Sequence, residues 1–226
     1  MMPMHLRSIC LVGAVAVTAA CSRSARTAET YPHQMGDAAA AARARADSTR
    51  RPYTEADIHF MTGMIGHHAQ AIVMARWAES HGASASVRTL AGRIINAQQD
   101  EITIMQHWLR DRNLPVPEAK PMPMKMKMGG MEHEMLMPGM LSDEQMRELD
   151  AARGAAFDQL FLAYMIQHHK GAITMVDELF AKDGAGQDET VFKFASDVSV
   201  DQTTEIARME RMLFMLKIES PAPTPR

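Results

Sequence analysis

A chain of 226 residues with a formal net charge of -3, 46% apolar and 5% aromatic residues has room for one domain or two. It lacks the basic excess of a phosphate-tracking surface, so nucleic acid is not an expected partner. Sparse strand-favouring residues beside abundant Ala, Met, Glu and Arg point to an all-α class, with length enough for one four-helix bundle.

The chain opens as an export signal, with Arg7 in a charged region and an apolar run from Ile9 to Ala20 that stops at Cys21, too short to cross a bilayer as a helix. VTAAC resembles a lipobox, which makes Cys21 the candidate for lipid anchoring of an exported, envelope-bound protein. Plain secretion with cleavage near Ala20 is the alternative. Cys10 would leave with the signal, so the mature chain has neither an internal disulfide nor a thiolate zinc site. Ser22 to Arg51 is low in complexity and reads as a tether, the tether region (22–53) ending near Pro52.

Thr54, followed by Glu55 and Asp57, is a capped start for a helix running to about His81, where Gly82 ends it. A second helix is expected from about Ser84 to Arg112, stopped by Asn113, Pro115 and Pro117; together they form a first helical hairpin (54–112). The next segment (113–141) reads as a flexible linker crowded with Met122, Met124, Met126, Met128, Met131, Met135, Met137 and Met140 beside His133, in which Pro and Gly forbid a regular helix. Ser142 with Gln145 three residues later is a capping box, so a third helix is expected from there to about Lys182. A fourth runs from about Asp188 to Ile218, completing the second hairpin (142–218), and SPAPTPR frays as a tail.

The two hairpins repeat one pattern. His67 and His68 in the first, and His168 and His169 in the second, follow an Asp by ten residues (Asp57, Asp158). A Met precedes each pair by three (Met64, Met165), and another follows by seven (Met74, Met175). These offsets return to one helical face. The partner helices repeat too, as Gln98, Glu101 and Met105 against Gln202, Glu205 and Met209. Two such hairpins can pack about a pseudo-twofold axis as one bundle. Adjacent histidines point about 100° apart, so only one of each pair is expected to face the interior.

The string D-x9-HH-x2-A-I-x-M, followed by a helix bearing Q-x2-E-I-x2-M, resembles the bacterial family called domain of unknown function 305. The resemblance covers both halves, roughly Thr54 to Arg112 and Ser142 to Ile218. It implies a ferritin-like four-helix bundle, usually exported, with copper binding or copper tolerance in some members and no enzymatic activity assigned. The first copy departs from the pattern at Gly66 and Ala69, where the family commonly has Pro before the pair and Gln or Lys after it; the second carries Gln167 and Lys170.

Imidazole nitrogen and uncharged thioether sulfur together favour Cu(I) over hard cations. Candidate ligands are therefore His67, His68, Met64, Met74, His168, His169, Met165 and Met175. Met105 and Met209 join them from the partner helices, and Glu101 and Glu205 either complete a site or accept a free imidazole N–H. In the Met-rich segment the thioethers and His133 could wrap a soft ion; the alternatives are drifted composition, a partner-binding segment or a sacrificial oxidant trap. The leading reading is an exported binder of Cu(I), not an enzyme, exchanging copper with an envelope protein. A structural or interaction module with internally paired histidines is the second. A ferritin-like redox enzyme is the third, and it lacks the Glu three residues before each His pair that dinuclear iron would need. His33, His59, His81 and His107 fall outside the pattern and are expected to be exposed or half-buried. Trp77 and Trp108 are placed together near the free end of the first hairpin.

Overall fold

The computed structural model describes residues 52–128 and 131–219. The export signal with Cys21, most of the tether, His33 and the C-terminal tail lie outside the described residues. Among the described residues, five helices and one two-stranded ribbon follow in order: α1 (Glu55–Ser80), α2 (Ala85–Arg110), β1 (Met124–Met128), β2 (Met131–Met135), α3 (Asp143–Ala151), α4 (Gly154–Phe180) and α5 (Glu189–Glu219). The architecture is an all-helical bundle of α1, α2, α4 and α5. None of the described helices is long and apolar enough to cross a membrane.

Local chemistry sets the helix ends. Thr54 and Asp57 exchange side-chain and backbone hydrogen bonds at the start of α1, and Ser142 and Gln145 do the same for α3, so each cap satisfies two otherwise unpartnered donors. Ser84 caps α2, Asp188 accepts from the backbone of Thr190 and Val191 at the start of α5, and Asn113 turns the chain after α2 with φ of 54°.

The third expected helix is two helices. Ala152 and Arg153 are extended, Gly154 adopts φ of 59°, and its backbone N–H donates to the His81 carbonyl at 2.8 Å. His81 itself is buried rather than exposed. Its Nε2 lies 2.9 Å from the Asp150 carbonyl and 3.0 Å from that residue's carboxylate, which ties the end of α1 to the end of α3. The run AARGA reads as helix by propensity; the tertiary tie at His81 is what breaks it.

The tryptophans separate, because α1 and α2 are antiparallel and Trp77 and Trp108 each sit near a C-terminal end. Trp77 stacks on His81 with ring centroids 5.8 Å apart. Trp108 packs at the opposite end, where its indole N–H donates to Asp188 at 3.0 Å and the Arg112 guanidinium lies 4.3 Å over its ring. Arg112 also pairs with Asp188. Burial alone would raise the Asp188 carboxyl, but donation from Trp108 and Val191 and the charge of Arg112 hold it below its usual range.

The duplicated aspartates are reciprocal struts between the hairpins. Asp57 of the first accepts from the Gly186 backbone of the second at 2.7 Å, and Asp158 of the second accepts from the Ser84 backbone of the first at 3.1 and 3.2 Å. The two links set α1 and α4 antiparallel at the centre. Each has α2 or α5 beside it and buries residues nearly all round, since the segment between the hairpins covers the remaining side. That segment passes Gly66 of α1 at residues 120–122 and then crosses α4 at Gly171.

Within the stretch read as a flexible linker, the backbone pairs antiparallel: Met124 opposite Met135, Met126 opposite His133, and Met128 opposite Met131. The register sets Met against Met or His at alternate positions, and Lys125 and Lys127 against Glu134 and Glu132. After β2 the chain enters the core. Met137 and Met140 are each only 6% exposed, and the Gln70 amide clasps the Leu141 backbone, accepting from its N–H at 2.7 Å and donating to its carbonyl at 3.0 Å.

Candidate metal centre

All four paired histidines are fully buried, which corrects the expectation of one interior residue per pair. A helix at the centre of the bundle has two inner neighbours about 100° apart, and each pair uses both. His67 and His168 meet across the α1–α4 contact, their ring centroids 3.8 Å apart. His68 and His169 turn instead to the outer helix of their own hairpin. His169 Nε2 lies 2.8 Å from Glu205 Oε2. His68 Nε2 lies 2.7 Å from Glu101 Oε2, off the line of a hydrogen bond.

The partners fix the tautomers of the central rings. His67 Nε2 is 3.0 Å from the Pro138 carbonyl, and His168 Nε2 is 3.0 Å from the His67 carbonyl. A carbonyl only accepts, so each Nε2 carries the proton and each Nδ1 presents a lone pair. Burial, then the neighbouring charge of His68, drives His67 down to about 3 against the opposing pull of Pro138. Burial and the other three rings hold His168 well below its ordinary value. Both rings are therefore neutral at physiological pH, the form that binds metal.

None of the four Nδ1 atoms has a hydrogen-bond partner among the described residues, and the same is true of both amide atoms of Gln98 and of Gln202 Oε1. Gln98 and Gln202 are only 2% and 3% exposed. Buried polar atoms are rarely left unpaired, so these atoms are available to an ion or to water.

Methionine supplies the other donor type. Met64, Met74, Met105, Met165 and Met209 are fully buried and Met175 is 5% exposed. The antiparallel helices sort them in a way that the repeat does not announce. Met64 and Met105 of the first hairpin share a core cluster with Met175 of the second, and Met165 and Met209 share the other with Met74 of the first. Pseudo-twofold symmetry exchanges the two sets. Each thus draws on both hairpins, and only the first gains Met137 and Met140 from the connecting segment.

The other candidates are dispersed. Met122 and Met135 are exposed, and Met124, Met126, Met128, Met131 and His133 belong to the ribbon, apart from the buried rings in sequence. Among the described residues, no three His, Cys, Asp or Glu side chains are placed to hold one ion. The pattern overlooked Gln70, Pro138 and Gly171, which bind the connecting segment over the histidines. MPGM, just before the Ser142 cap, was the available signal.

A family model described as domain of unknown function (DUF305) matches residues 57–213, and the chain belongs to that family. Its fold is similar to that of a DUF305 fragment from Deinococcus radiodurans, at 27% identity over 73% of this chain and 99% of that one with a TM-score of 0.60. A presumptively secreted DUF305 protein from Streptomyces coelicolor is similar at 27% identity, 71% and 93% coverage and a TM-score of 0.59. CopM in its Cu(I)-bound form is similar at 25% identity, 74% and 99% coverage and a TM-score of 0.54, and CopM is also solved with Cu(II) and with Ag. Uncharacterized protein L153 of Acanthamoeba polyphaga mimivirus is 38% identical over 58 residues, which is 26% of this chain; the match spans 38% of that relative's length.

Proposed function

We propose that this DUF305 protein is an exported copper binder that holds Cu(I) outside the cytoplasm, with a lipid anchor at Cys21, and exchanges it with an envelope protein. The observation that carries the reading is the set of four buried, unpartnered Nδ1 atoms flanked by two buried methionine sets. A neutral imidazole whose Nε2–H is held by an oxygen acceptor is a pre-oriented ligand, and thioether beside it selects a soft monovalent ion. The ribbon, which carries five Met and one His, is the capture element. CopM, solved with Cu(I), Cu(II) and Ag, supports the direction, as does the secretion ascribed to the Streptomyces protein. The role is binding and transfer, not catalysis.

The test is a competition titration of residues 22–226 with Cu(I) against a chromogenic chelator, run beside Zn(II) and Fe(II). Tight Cu(I) uptake with little of the other two supports the proposal. Failure to compete for all three metals removes it, and leaves the His169–Glu205 and His67–Pro138 contacts as architecture.

A further inference from the structure

The covered and uncovered sides of the buried histidines differ. On one side the connecting segment passes over α1 and α4 at Gly66 and Gly171. On the other lies the seam between α2 and α5, closed at one end by Trp108 and Arg112 on Asp188. Farther along, two carboxylates reach both solvent and the interior: the side chains of Glu101 and Glu205 are 15% and 22% exposed, and each lies within 2.8 Å of a fully buried imidazole. One helical turn before each Glu stands a buried glutamine with unpartnered amide atoms, Gln98 or Gln202. Asp201, exposed on α5, adds a third acid, and its two-fold counterpart on α2 is Ala97.

We propose that this seam, edged by Glu101, Glu205 and Asp201 and backed by the Gln98 and Gln202 amides, is a second approach to the buried rings that admits divalent copper. The inference rests on the copper-binding reading and deepens it by valence. Carboxylate and amide oxygens are hard donors suited to a hydrated Cu(II), whereas the thioethers of the ribbon suit Cu(I). Negative charge gathered at a low-dielectric opening concentrates a cation there and raises its rate of entry. A cation arriving at Glu101 or Glu205 stands one side chain from His68 or His169.

The experiment is stopped-flow uptake of Cu(II) by the protein in a non-coordinating buffer of low ionic strength, comparing the normal chain with Asp201→Asn and Ala97→Lys. Both positions are exposed, and Asp201 enters the proposal through its charge at the opening, the donors being Glu101, Glu205 and the two Gln amides. Glu79→Gln, at an exposed acid near the end of α1, is the control. The uptake rate should fall about 3-fold in Asp201→Asn and further in Ala97→Lys, with the differences shrinking in high salt. Stoichiometry and release rate should stay the same. Rates equal to those of the control overturn the seam, and so does lost stoichiometry at an unchanged rate. If the normal protein takes up Cu(I) but no Cu(II), the seam fails and the Cu(I) proposal stands. If it takes up Cu(II) but does not compete for Cu(I), the Cu(I) proposal fails alone.

Discussion

Replacing Gly171 with Ala sets local preference against tertiary packing. Within a helix, Ala is favoured over Gly by about 1 kcal/mol, so propensity alone expects Gly171→Ala to stabilise α4. In the fold, a Cβ at that position would fall 1.9 Å from the Pro138 carbonyl oxygen and 2.5 Å from the Gly139 Cα, both backbone atoms that cannot rotate aside. Gly139 itself holds φ of 73°, so the crossing has little latitude. The chain over α4 has to lift, and two costs follow. Re-exposing even one of Met137 and Met140 costs roughly 2 kcal/mol, and leaving the His67 N–H and Pro138 carbonyl unpaired costs about 1–3 kcal/mol. Less the helix preference, the net is a loss of about 2–4 kcal/mol. Urea unfolding followed by circular dichroism measures it directly: at a slope of about 2 kcal/mol per molar, the midpoint should drop by about 1–2 M. An unchanged or raised midpoint would refute the close crossing and, with it, the assignment of Pro138 as the partner of His67.

Three further outcomes are expected. His67 has a folded pKa of about 3 and His168 one well below 6.5; the unfolded chain therefore binds more protons below pH 6.5, and stability should fall by about 3 kcal/mol between pH 7.5 and 5.5. Urea midpoints at the two pH values check this, and a flat profile would mean that the rings are not buried as neutral bases. Asp158→Ala should cost about 1–3 kcal/mol through the lost Ser84 acceptor. Asp57→Ala should cost more, because it also removes the acceptor of the Thr54 N–H in the α1 capping box; an equal or smaller loss in the same unfolding assay would contradict the reciprocal struts. Changing Met124, Met126, Met128, Met131 and Met135 together to Leu should lower Cu(I) stoichiometry while leaving the thermal midpoint nearly unchanged, whereas full stoichiometry would take the ribbon out of copper capture.

The sequence by itself determined α1, α2 and α5, because caps such as Thr54 and the 3.6-residue apolar spacing are local devices with local causes; Ser142 marked the start of α3, but not the break before α4. It also determined the duplication and the residue types of the centre. Only the tertiary structure decided the rest. Both histidines of each pair are interior because α1 and α4 each have two inner neighbours, a property of the packing and not of either helix alone. Met74 joins Met165 and Met209 rather than Met64 because antiparallel helices bring the end of one hairpin beside the start of the other. The break before Gly154 and the burial of His81 depend on a contact between segments some seventy residues apart, which no local window contains. Asp57 and Asp158 show the same division: the repeat marked them, and the partner backbone at Gly186 and Ser84 made them struts.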